Sequence, residues 1–203
     1  MKGMSVNQPQ SNYSYADYLK CPEDVRYEVL DGQIISMSPA PTTNHQHVQR
    51  ELLIELGMYL RGKECSVFGA PIDVCLFAEK MTSNDKIQDW VQPDIIVVCD
   101  RNKINLKNIV GAPDLAIEIL SPSTARNDRL IKVSAYQKAG VKVYWIVDPS
   151  NEYVEVFLLH DNRFISSGLY TKEDSVKVSI LEDLSISLKN IFPVDEEEFH
   201  MEL

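Results

Sequence analysis

The chain is short of several things that would place it quickly. Its four cysteines, Cys21, Cys65, Cys75 and Cys99, form no CxxC pair and no Cys/His cluster, which excludes a zinc-ribbon or finger arrangement. They read as reduced thiols, with Cys75 and Cys99 inside apolar runs where a small hydrophobe fits. Long hydrophobic runs are missing as well: Ile95 to Cys99 and Val143 to Val147 fall far below the roughly 20 residues a membrane-spanning helix needs. Nothing at the N-terminus has the pattern of a secretory signal, so a cytoplasmic protein without membrane partners is expected. Positive charge is scarce, with 20 Lys plus Arg against 30 Asp plus Glu and a formal net charge of −10. Indiscriminate nucleic-acid binding, which draws on cationic side chains releasing counterions, is therefore disfavoured unless a metal or a local basic site intervenes.

What is present is the composition of a folded domain, 203 residues at 44% hydrophobic and 25% charged. One domain is expected over residues 15–192, between a polar N-terminal arm (residues 1–14) and an acidic C-terminal tail (residues 193–203). Asp31-Gly32 sits between two strand-like runs, predicting a type I′ hairpin with Leu30 facing Gln33 and Glu28 facing Ile35. Thr43 or Asn44 is placed to cap a helix whose face is Val48, Leu52, Leu56 and Tyr59, with Leu53 and Leu60 beside it and His45 at its start. A strand is expected from Val67 to Phe77. Val91 to Cys99 and Asp114 to Leu120 read as strands buried on both faces. A second helix should open at Asn127 or Asp128 and close at Gly140, burying Leu130, Val133 and Ala135 to Ala139. Val141 to Val147 and Tyr153 to Leu159 complete an α/β order with a mixed sheet at its centre.

The anomaly is chemical. Asp94 opens the run Ile95-Ile-Val-Val, and Glu118 lies within Leu115-Ala-Ile-Glu-Ile-Leu120. A lone ionised carboxylate in such surroundings costs several kcal/mol unless it is paired, hydrogen-bonded or metal-bound (~2–7 kcal/mol for an uncompensated polar group alone). Strands starting near Pro93 and Pro113 could neighbour each other and bring both carboxylates within reach of one ion, and one or two carboxylates completed by waters suit Mg²⁺. Lys132 follows on the next helix with Tyr136 one turn beyond, able to aim an ammonium at the same place.

The segments YEVLDGQIISMSP (Tyr27 to Pro39), His45 at a helix start, VQPDIIVV around Asp94, GAPDLAIEILSPST (Gly111 to Thr124) and DRLIKVSAYQKAGVKVYWIVDP (Asp128 to Pro149) occur in an order that closely resembles the Uma family of putative restriction endonucleases, a branch of the PD-(D/E)xK superfamily. The resemblance implies a restriction-endonuclease-like core, a central mixed sheet flanked by helices. It implies a DNA endonuclease in which Asp94, Glu118 and the backbone carbonyl of Ile119 bind Mg²⁺, with Mn²⁺ as a substitute, and in which Glu28 is the extra N-terminal acid near the metal. Leu120 stands where the motif has lysine, and Lys132 matches a lysine relocated to the following helix. His45, Tyr136 and Asp114 are accessory candidates. A homodimer is expected, as in many nucleases that cut both strands. The rival to an active enzyme is a nuclease-like scaffold that has lost turnover and serves as a binding or assembly module. A metal-free acid/base pair of Glu28 and Glu118, in the manner of a glycosidase, ranks last.

Overall fold

The Asp31-Gly32 pair does what its residue types allow. Both adopt positive φ, 49° and 69°, and fold β1 (Tyr27–Leu30) back onto β2 (Gln33–Ser36) with Leu30 opposite Gln33 and Glu28 opposite Ile35. This hairpin belongs to a computed structural model of the chain that describes residues 13–22, 25–36, 41–121 and 128–193. The first twelve residues of the expected arm and most of the expected acidic tail lie outside these. Tyr13 and Ser14 belong to the folded part: Ser14 caps the short helix α1 (Tyr15–Tyr18) and Tyr13 packs on Trp90.

At the centre is a six-stranded mixed sheet in the order β10-β9-β8-β7-β5-β3, in which only β7 and β8 run parallel. Its strands are β3 (Ser66–Gly69), β5 (Ile95–Val98), β7 (Leu115–Ile119), β8 (Val143–Asp148), β9 (Tyr153–His160) and β10 (Arg163–Thr171). Every residue of β5 and β7 is buried, as their uninterrupted apolar runs predict. Helix α2 (Thr43–Leu60) lies on one face, sending Val48, Leu52, Leu56 and Leu60 against Ile95, Val97, Leu115, Ile117 and Trp145. The same core is extended by residues of β11 (Ser175–Lys177) and β12 (Ser185–Ser187). Helix α3 (Val133–Ala139), preceded by a π-helical turn at Asp128–Lys132 and closed by Gly140 at φ 88°, covers the opposite face, where Tyr136 meets Ala116, Tyr144 and Ile146. There β4 (Asp73–Cys75) and β6 (Asn108–Val110) form a small parallel pair that joins the hairpin in walling the face.

Several expectations are corrected. The α2 cap is Thr42, whose Oγ1 accepts from the His45 amide at 3.2 Å, one residue before the expected cap. The single strand expected from Val67 to Phe77 is two, because Pro71 has no N–H to continue a ladder. Leu130 is exposed, since the wider π-helical turn places it outside the stripe that straight α-helical spacing assigns it. Cys65 and Cys99 are not free thiols: they form a disulfide between the ends of β3 and β5, adjoining the Ser66–Val98 pair. Their proximity is a matter of strand register, which spacing along the chain does not disclose. Cys21 and Cys75 are free, and burial pushes the Cys75 thiol up to about 12.

Candidate active site

The candidate site forms at the end of the sheet where β5 begins and β7 finishes. The antiparallel pairing of Ile95 with Ile117 puts Asp94, one residue earlier, alongside Glu118, one residue later. Period-two alternation then turns Glu118 to the α3 side of the sheet, with Ala116 and Leu120. Glu118 is only 3% exposed, and its Oε1 accepts from Lys132 Nζ at 3.0 Å and from the Tyr136 hydroxyl at 2.5 Å. Lys132 and Tyr136 stand one helical turn apart where the π-helical turn passes into α3, so both donors reach one carboxylate. Burial, and then the Glu118 charge, hold the Tyr136 hydroxyl well above its ordinary titration range, so it stays a donor.

Glu28 approaches from the hairpin. Its Oε1 lies 3.0 Å from Lys132 Nζ and accepts the Gln92 main-chain N–H at 2.7 Å. A buried ammonium between two buried carboxylates answers the desolvation cost that either carboxylate would meet alone. Gln92 is itself clamped. Its Oε1 accepts from Arg26 at 2.9 and 2.6 Å, and its Nε2 donates to Tyr18 and, at 2.6 Å, to Asp73. Asp73 in turn accepts from the Tyr15 hydroxyl at 2.6 Å, which ties the aromatic cluster of Tyr13, Tyr15, Tyr18, Tyr27 and Trp90 to the site.

Asp94 is the more open carboxylate, with a side chain 19% exposed. Its Oδ2 accepts from the Ile119 main-chain N–H at 2.7 Å and lies 3.3 Å from His45 Nε2 at the start of α2. Its main-chain carbonyl accepts from Gln49 Nε2 and the Ala70 N–H, so the residue is held on three sides. His45 Nδ1 is buried and finds no partner among the described residues.

The candidates thus divide. Glu28, Glu118, Lys132 and Tyr136 meet directly; Asp94, Ile119 and His45 form an adjoining group across the β5–β7 pair. Asp114 is not among them. It precedes β7 at the strand's other end, where it accepts from the Cys99 N–H and pairs with Lys142 at 2.7 Å. Gln92, Arg26 and Asp73 went unmarked in the sequence. A glutamine between Val91 and Pro93, directly before Asp94, was the available signal, because a buried amide needs partners for both ends.

The donors suit a hard cation. Among the described residues no three His, Cys, Asp or Glu side chains converge as a metal cage, the arrangement a structural zinc requires. A carboxylate pair on adjacent strands with a neighbouring main-chain carbonyl is the sparser oxygen set that Mg²⁺ accepts, retaining waters. With one Asp94 oxygen fixed by Ile119 and His45, the other can be presented in a set direction.

A mixed sheet with flanking helices, bearing acidic residues at one strand end and a lysine on the next helix, is a nuclease-like framework. A solved structure described as a putative nuclease belonging to DUF820 from Anabaena variabilis ATCC 29413 has this fold, with a TM-score of 0.69 and 23% identity over 89% of this chain and 97% of that one. The family model Uma2, described as "Putative restriction endonuclease", matches residues 15–189, and the chain belongs to that family. It is also similar to the uncharacterized protein slr1290 of Synechocystis sp. (strain ATCC 27184 / PCC 6803 / Kazusa), 28% identical over 161 residues, 78% of this chain and 79% of that protein.

Proposed function

We propose that this chain is a divalent-metal-dependent endonuclease that hydrolyses DNA phosphodiester bonds. The observation that carries the reading is the Lys132 ammonium, 3.0 Å from Glu118 although Leu120 occupies the usual lysine position. Asp94, Glu118 and the Ile119 carbonyl are the residues that would hold Mg²⁺, or Mn²⁺ in its place. Bound there, the ion would polarise a phosphate oxygen and lower the pKa of a coordinated water. Lys132 supplies positive charge where negative charge gathers in the transition state, and Tyr136 keeps Glu118 oriented through a hydroxyl that remains protonated. Asp94 is steadied by the Ile119 N–H and His45.

A formal charge of −10 leaves little sequence-independent attraction to DNA. The bound cation would reverse the local sign, making DNA capture conditional on metal and sensitive to salt. Cutting both strands would take two such sites, which a homodimer supplies. No helix among the described residues is long and apolar enough to cross a membrane.

Nicking of supercoiled plasmid DNA in Mg²⁺ tests the assignment, with Glu118→Ala as the comparison. Loss of a metal carboxylate should lower the rate about a thousandfold, roughly 4 kcal/mol of transition-state stabilisation. Equal nicking by both proteins would dismiss it. A second reading, the scaffold without turnover, is favoured by Leu120 and by the engagement of Glu118 with two donors. Calorimetry showing neither Mg²⁺ nor Mn²⁺ binding would select it.

A further inference from the structure

We propose that Glu28 is a positioning residue that holds the Lys132 ammonium in place, and that it is not a ligand of the metal. Glu28 Oε1 is already committed to Lys132 Nζ at 3.0 Å and to the Gln92 N–H at 2.7 Å. That amide is not free to drift, because Arg26, Tyr18 and Asp73 fix the Gln92 side chain and Tyr15 fixes Asp73. The ordered path therefore runs from the aromatic cluster through Asp73, Gln92 and Glu28 to Lys132.

A lysine carried on a helix instead of beside Glu118 on β7 needs such a path. The standard motif would set a lysine two residues after Glu118 on the same strand, where the backbone alone determines its place. Lys132 instead follows a π-helical turn and extends a four-carbon stem with several rotatable bonds, so its amine needs a second anchor besides Glu118. Glu28 provides one from a different element, the β1–β2 hairpin, at 3.0 Å. Asp94 and Glu118 sit on neighbouring strands of one sheet, whereas Glu28 comes from the separate hairpin and meets the Lys132 ammonium and the Gln92 amide.

The inference rests on the metal-nuclease reading for its kinetic and Mn²⁺ readouts, and the acetylation readout is independent of it. Isothermal calorimetry with Mn²⁺ should give Glu28→Gln a Kd within about threefold of wild type and an unchanged stoichiometry, while Glu118→Gln weakens binding by about tenfold or more. In plasmid nicking Glu28→Gln should lower kcat by about 10–100-fold with KM nearly unchanged, the mark of a misplaced group rather than lost binding. Acetylation of Lys132, followed by mass spectrometry, should become severalfold faster in Glu28→Gln than in wild type. Mn²⁺ affinity falling as far in Glu28→Gln as in Glu118→Gln, or an unchanged Lys132 acetylation rate, overturns the proposal. If Glu28→Gln does not fold, Glu28→Asp, which keeps the charge and shortens the reach by one methylene, is read by the same two measurements. A wild-type protein that cuts no nucleic acid would defeat the nuclease reading, while the Lys132 acetylation rate would still decide whether Glu28 positions the ammonium.

Discussion

Both faces of the central sheet carry an apolar core, but only one has a buried charged group set into it. Toward α2, Val48, Leu52, Leu56 and Leu60 meet Ile95, Val97, Leu115, Ile117, Trp145 and Val147, an almost wholly apolar contact. Trp145 Nε1 is buried there without a partner among the described residues. Toward α3 the same strands present Ile96, Val98, Ala116, Tyr144 and Ile146, and at one end Glu118 of β7 meets Lys132, Tyr136 and the Lys132-bound Glu28 of the hairpin. One face stabilises by excluding water from hydrocarbon. The other does the same over most of its area, and at one end also holds charges in a dry environment, where each is tolerable only because the next one is present. Rigidity and chemistry are separated within one strand: alternation lets β7 anchor the core with Ile117 and Ile119 while aiming Glu118 at the site.

The largest expected effect comes from breaking the charged face. Lys132→Ala leaves Glu28 and Glu118 buried without their shared cation and should cost about 3–5 kcal/mol in urea unfolding, in addition to lost nuclease activity. Replacing Glu28, Lys132 and Glu118 together by Leu, Met and Leu makes the two faces alike. It should recover most of that stability while abolishing nicking, and a triple variant as unstable as Lys132→Ala would show that the faces do not differ in this way. On the apolar face, Leu52→Ala should cost about 2–5 kcal/mol from cavity formation, with kcat per folded molecule unchanged. A large fall in kcat there would blur the division.

The smallest effect is an alkaline one, at the edge of the network. Burial, then the hydrogen bond to Asp73, raises the Tyr15 pKa in the folded state above the unfolded value of 10.0. A raised folded pKa favours the protonated fold, so this contribution is complete below pH 10 and is lost as pH rises from there toward the folded value. Tyr15→Phe should cost about 1 kcal/mol at pH 7 and show a shallower decline between about pH 10 and 11 than wild type. Parallel alkaline curves for the two proteins would remove Tyr15 from the support of the charged face.

Much of this was legible along the chain, for local reasons. The type I′ hairpin follows from Asp31-Gly32 because so few residues accept two successive positive φ values. The double burial of β5 and β7 follows from their unbroken apolar runs. Glu118, Lys132 and Tyr136 stood out as polar groups whose spacing allowed a meeting, and they meet. The Cys65–Cys99 disulfide was illegible because β3 and β5 are joined by more than twenty intervening residues, and nothing in those residues states the register. Gln92 stayed hidden for the same reason: its partners Arg26, Tyr18 and Asp73 come from three separate elements.

By itself the sequence determined the alternation that sends Glu118 away from its apolar neighbours, the turn that returns Glu28 toward the sheet, and the family to which the chain belongs. Those are consequences of residue type and short-range geometry. Only the tertiary structure decided that Glu28 and Glu118 share one ammonium, that Asp94 is held by Ile119 and His45, and that Asp114 stands at the strand's other end. A carboxylate's role depends on which donors reach it within about 3 Å, and those donors arrive from segments that approach one another only when the sheet closes.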